Sequence, residues 1–100
     1  MQISDKALTK RPCAFVIRLN SPLHTQGEIL KFFINRAISV SMMNLQCIHD
    51  REGVLILYCL IERDRIRRTV RLLEKIKGII EMELLESRGT NMVKEYLYEE

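Results

Sequence analysis

The chain predicts an α+β fold of order β-α-β-β-α-β, and three observations predict it. Residues 14–20 form a short apolar, β-branched run with Phe15, Ile17 and Leu19 on one face, and residues 79–85 alternate apolar and polar side chains, as strands do. Residues 38–49 and 54–61 form a second pair of strand-like runs joined by a short turn. Between these pairs, residues 25–37 and 65–77 carry apolar residues at helical spacing. Two interleaved right-handed βαβ crossovers then give a four-stranded antiparallel sheet with both helices on one face. This is the ferredoxin-like arrangement, with spatial order 4-1-3-2.

Each element has a local reason. In the first strand Phe15, Ile17 and Leu19 share one face, and Ser21-Pro22 stops it. Thr25 is the expected N-cap of the first helix, with Glu28 three residues on completing a capping box. Ile29, Leu30, Phe33, Ile34 and Ala37, with Phe32 beside them, form its expected buried face. The alternation of the second strand slips between Val40 and Met43, which predicts a bulge near Met42. Residues 49–53 read as a turn. Asp64 is the expected cap of the second helix, whose buried face is Ile66, Thr69, Val70, Leu73 and Ile76 and whose end is Gly78. Residues 1–12 read as a polar tail, residues 13–86 as the single domain, and residues 87–100 as an extension with a short helix around residues 92–97.

The third strand points to function. Val54, Ile56, Tyr58 and Leu60 cannot face the same side as Leu55, Leu57, Cys59 and Ile61, yet both sets are apolar. A strand apolar on both faces is normally buried on both, while two helices cover one face only. The expectation is an oligomer or partner face that includes Leu55, Leu57 and Tyr58, and a homodimer as the simplest assembly.

The residue types exclude much chemistry. At 100 residues the chain is one domain with one thin core. The four glycines are scattered, so no phosphate loop exists. His24 and His49 stand apart from any metal-ligand spacing, and the carboxylates lie along a strand and a tail rather than converging. No catalytic residue, metal or cofactor is expected. Seven of the sixteen basic residues fall between Arg63 and Lys77, but without interleaved aromatics they read as a solvated helix face, not a nucleic-acid site. No run approaches the ~20 apolar residues of a membrane span, and residues 1–6 show no charged-then-apolar signal pattern. Three cysteines at spacings of 34 and 12 match no disulfide framework or zinc motif, which favours reduced thiols in the cytoplasm.

Three stretches carry a resemblance. They are Leu19-Asn20-Ser21-Pro22, the passage from Phe33 through Arg36 and Ser41 to Asn44, and the run from Val70 to Ile80. Together they resemble the ACT domain, a small ligand-sensing module, and within it the short type of regulatory small subunit of acetolactate synthase. The resemblance implies a non-catalytic subunit that dimerises and docks on the acetolactate synthase catalytic subunit in branched-chain amino-acid biosynthesis. The alternative it implies is a stand-alone amino-acid-sensing ACT protein with another client. It places the effector site at Asn20, Ser21, His24 and Thr25. The family's loop reads Asn-x-x-Gly, whereas the glycine position here falls near His24, and the turn glycine after the first helix is Ala37. A side chain there obstructs close approach of a carboxylate to backbone N–H groups, so binding of a branched-chain amino acid is expected to be weak or absent.

Overall fold

The computed structural model describes residues 10–88 and 91–97, with side chains for residues 10–86. The elements are β1 (Lys10–Asn20), α1 (Pro22–Asn35), β2 (Ser39–His49), β3 (Glu52–Glu62), a single 3-10 turn (Arg63–Arg65), α2 (Ile66–Leu73), β4 (Ile79–Arg88) and β5 (Asn91–Leu97). Strands β2-β3-β1-β4 form the antiparallel sheet in the expected ferredoxin-like order. A fifth strand, β5, is added antiparallel to β4, where the sequence reading had a short helix. Lys, Glu and Leu in residues 92–97 favour a helix, but the open edge of β4 offers unpaired backbone groups that a following segment can take up. β1 also starts at Lys10, inside the stretch read as a tail, because its first residues pair with the end of β3.

The core lies between the sheet and the helices. From the central strands it takes Cys13, Phe15, Ile17 and Leu19, opposite Cys59, Leu57 and Leu55 with Ile61 beyond. From α1 it takes Ile29, Phe32 and Phe33, from α2 Ile66, Val70 and Leu73, and from β4 Met82 and Leu84. Phe33 meets Phe15 at a ring separation of 6.0 Å and Phe32 edge-on at 5.3 Å. The bulge expected in β2 is present: its register against β3 shifts between Val40 and Met42. That shift lets Val40, Met43 and Leu45 all pack against the core.

Four expectations need correction. Leu55 and Leu57 face the helices and are fully buried, so they belong to the core and not to a partner face; of the residues expected there, Tyr58 alone lies on the open side. The parity of β3 is set by its pairing with β1, which aligns Leu57 with Phe15 and Leu55 with Ile17. Second, α1 begins at Pro22, not Thr25, with Ser21 as its N-cap in the left-handed region at φ 44°. Proline's fixed φ and absent N–H suit a first helical position. Third, Leu30 and Ile34 point outward, because Thr25, Ile29, Phe32 and Phe33, at helical spacing, form the stripe that faces the sheet. Fourth, α2 has Arg65 as its N-cap and ends at Leu73, so Asp64 does not cap it and Ile76 lies in the turn beyond it, half-buried against the core.

The end of α1 stores strain. Ala37 N–H donates to Ile34 O at 3.0 Å and Ile38 N–H donates to Phe33 O at 3.0 Å, which is a Schellman closure with Ala37 at φ 55°. Glycine holds that conformation without the Cβ penalty of roughly 1–2 kcal/mol. Ala37→Gly is therefore expected to stabilise the fold by about 1 kcal/mol, read as a higher midpoint in urea denaturation at unchanged slope.

Candidate functional site

The end of β1, the start of α1 and the turn before β4 meet at one corner. Gly78 accepts from Asn20 N–H through its carbonyl at 2.7 Å, and Ser21 N–H donates to Arg51 O at 3.2 Å, tying both neighbouring strands to the β1–α1 junction. Thr25, in the first turn of α1, is buried and donates its hydroxyl to Asn20 O at 2.6 Å. It occupies the space above Gly78: a Cβ there would collide with Thr25 Oγ1, and Gly78 sits at φ 108°. The corner closes only with glycine at position 78.

A groove of about 550 Å³ lies at this corner, lined by Asn20, Ser21, His24, Thr25 and Glu28 on one side and Ile76, Lys77 and Gly78 on the other. The structure thus brings together all four residues expected for the effector site. It adds the turn residues 76–78, which the sequence reading missed although the antiparallel order of β1 and β4 places that turn beside Asn20. His24 is not in a loop. It lies in the first turn of α1, exposed to solvent, because the left-handed residue of the junction is Ser21. The N–H groups of Asn20, Ser21 and Thr25 are used within the fold, Thr25 N–H donating to Ser21 O at 2.9 Å. Pro22 has no N–H. The first-turn donors left to face a ligand are the N–H groups of Leu23 and His24.

A second groove, of about 650 Å³, opens on the other flank of the same junction and is lined by Leu23, His24, Cys47, His49 and Asp50 with Ser21 and Pro22. His49 Nδ1 accepts from Arg51 N–H at 3.1 Å, and Nε2 stands 3.9 Å from Glu52 Oε1. Both ring nitrogens are thereby directed into the hairpin. Among the described residues no group of three or more His, Cys, Asp or Glu side chains is placed to hold a metal ion. No helix among them is long and apolar enough to cross a membrane.

The face of the sheet away from the helices is the other candidate. Val54 and Ile56 are half-buried there, and Tyr58 and Leu60 are exposed. Cross-strand register sets Tyr58 between Met42 and Ala14, and Ile56 between Asn44 and Val16. At one end of this apolar stripe Arg18 donates to Glu52 Oε2 at 2.6 Å and reaches Glu81 Oε1 at 3.4 Å. These carboxylates, Glu52 foremost, hold the Arg18 guanidinium above its ordinary pKa. An ion pair bridging β3, β1 and β4 gives the open face a polar border.

The three thiols divide by exposure. Cys13 and Cys59 are buried opposite one another across β1 and β3, and Cys47 is exposed near the end of β2. Burial, with the Glu86 carboxylate adding to it, pushes the Cys13 thiol up to about 12. Burial, with Cys13 beside it, raises Cys59 as well. Both stay protonated in the fold at pH values where an unfolded cysteine, titrating near ~8.5, has lost its proton. Their contribution is fully present below ~8.5 and is lost as pH rises toward 12. A thiol reagent at pH 8 is expected to label Cys47 alone in the native chain, with all three labelled in denaturant. The urea midpoint should fall between pH 8 and 10.5, less steeply in Cys13→Ala. Fast native labelling of Cys13 or Cys59 would contradict this burial.

No protein-family profile and no curated protein sequence matches the chain. Solved structures do. The crystal structure of the ACT domain from GTP pyrophosphokinase of Chlorobium tepidum superposes with a TM-score of 0.65 at 15% identity, covering 77% of this chain and all of that one. The solution structure of the C-terminal domain of the MgtC protein from Mycobacterium tuberculosis superposes with a TM-score of 0.62 at 11% identity, covering 83% of this chain and 94% of that one. At such identities the likeness is one of fold, and the chain has the ferredoxin-like fold of an ACT domain with one strand added at its edge.

Proposed function

We propose that the chain is a non-catalytic regulatory subunit that self-associates and docks on the catalytic subunit of acetolactate synthase in the cytoplasm. The observation that carries this reading is the apolar open face of an ACT-type sheet, where Tyr58 and Leu60 stand exposed beside Val54 and Ile56. Contiguous apolar surface of this kind is characteristic of protein docking sites. The three stretches that resemble the small subunit supply the identity of the client. The three cysteines, none of them in a disulfide, fit a reducing compartment.

Effector binding at the corner groove follows from the same reading and is weak. A free amino acid needs two or three N–H donors for its carboxylate. The junction spends three of its own on the fold and replaces a fourth by Pro22, leaving Leu23 and His24. Loss of one charge-assisted hydrogen bond of about 1.5 kcal/mol weakens binding about tenfold. A second reading, a stand-alone amino-acid sensor, is favoured by those two remaining donors at the mouth of the groove.

Two measurements separate the readings. Added to the catalytic subunit, the chain is expected to raise its turnover or thermal stability, and Tyr58→Arg is expected to abolish that effect while leaving the chain folded. If neither turnover nor stability changes on mixing, the subunit reading fails. Calorimetry with valine, leucine and isoleucine is expected to show no saturable heat below millimolar concentrations. Micromolar binding of any of them would favour the sensor.

A further inference from the structure

The outer face of α2 is a strip of cations. Residues 62–77 hold seven of the sixteen basic residues of the chain but only three of its thirteen acidic ones, an excess larger than the whole net charge of +3. Ile66, Thr69, Val70 and Leu73 turn inward to the core. Arg67, Arg68 and Arg71 are therefore exposed on the opposite side of the helix, within about a third of a turn of one another. Arg63 and Arg65 extend the strip at one end and Lys75 and Lys77 at the other, all four exposed.

This arrangement works against its own helix. Arg67 and Arg71 stand four residues apart and Arg68 and Arg71 three, spacings at which like charges repel. Arg65 is the N-cap, and Arg67 and Arg68 follow in the first turn, where the helix dipole is positive. That turn holds no acidic residue and the cap makes no side-chain hydrogen bond. Glu74, at the C-cap, lies at the end where the dipole is negative. The ion pairs of Arg11, Arg18, Lys31 and His49 use no cation of the strip. A charge pattern that opposes the helix carrying it is explained by a partner of opposite sign.

We infer that the outer face of α2 is a docking surface for an acidic segment of a partner protein, whose carboxylates pair with Arg67, Arg68 and Arg71. The guanidinium fork binds a carboxylate through two parallel hydrogen bonds. Side chains one helical turn apart stand about 5–6 Å from each other, a spacing that carboxylates one turn apart on a second helix reproduce. A nucleic acid fits less well. The aromatic side chains described are Phe15, Phe32 and Phe33 in the core and Tyr58 on the far side of the sheet, so none stacks a base beside these cations. Glu62 and Asp64 also alternate with Arg63 and Arg65, and a phosphate backbone is anionic throughout, whereas a protein surface answers both signs. A bilayer would need apolar anchors in the strip, and Leu72 is half-buried against the core instead. The strip and the open face lie on opposite sides of the sheet, so this surface is separate from the one assigned to the client.

Fluorescence anisotropy of the full chain with labelled poly-glutamate tests this, with poly-uridylate and phosphatidylserine vesicles as competing anions. Poly-glutamate is expected to bind more tightly than either, with an affinity that falls as salt is raised. Arg67→Gln, Arg68→Gln and Arg71→Gln together should weaken binding about tenfold. Lys10→Gln, Lys31→Gln and Arg51→Gln together remove the same charge elsewhere on the surface, and should weaken it less than about threefold. Glutamine is nearly as good a helix former as arginine, so the α2 variant should keep a native circular dichroism spectrum and melt no lower than the wild type. A lower melting temperature would show that these cations serve the fold, and would overturn the inference. Equal losses in the two triple variants, or no binding by the wild type, would overturn it too. Tighter binding of poly-uridylate or of the vesicles would overturn the protein partner.

Discussion

The corner at which Thr25 stands over Gly78 governs the molecule. Thr25 is held by its hydroxyl to Asn20 O, Asn20 is held by its N–H to Gly78 O, and no side chain larger than hydrogen fits at position 78. These contacts fix where α1 begins and how it is rotated about its axis. That rotation turns Ile29, Phe32 and Phe33 into the core and Leu23, Leu30 and Ile34 away from it. The same contacts spend the N–H groups that would otherwise line the corner groove. One packing constraint thus goes with an outward apolar stripe on α1 and a depleted groove together.

β3 imposes the other half of the logic. It is a central strand, paired on both sides, and apolar on both faces. The helical layer takes Leu55, Leu57, Cys59 and Ile61. The remaining face, Val54 through Leu60, is bordered by Arg18, Glu52 and Glu81 but is not covered among the described residues. A domain of this size has one thin core, and these side chains are apolar surface in excess of it. The fold has two such surfaces, one on the sheet and one on α1, at different sides of the molecule.

Much of this was legible in the sequence. The order of the first six elements, their antiparallel pairing, the bulge beside Met42 and the burial of Ile66, Thr69, Val70 and Leu73 on α2 follow from periodicity and turn chemistry, because each is a local property. What failed depended on tertiary context. The capping-box match of Thr25 and Glu28 outweighed Pro22, and the apolar spacing of Ile29, Leu30, Phe33 and Ile34 did not tell the buried side of the stripe from the exposed one. The two faces of β3 are indistinguishable by composition, so only its register with β1 reveals that Leu55 and Leu57 are inside. Residues 91–97 have helical propensity, and an available strand edge overrode it. The groove-lining turn at residues 76–78 carried no motif; it joins the site through chain topology.

The central claim is that this domain acts by holding other chains on the open face of its sheet. Native mass spectrometry of the chain co-expressed with the acetolactate synthase catalytic subunit tests it most directly. The account predicts an assembly that contains both chains and comes apart when Tyr58 is replaced by arginine. A catalytic subunit that flies alone beside a monomeric chain would contradict it.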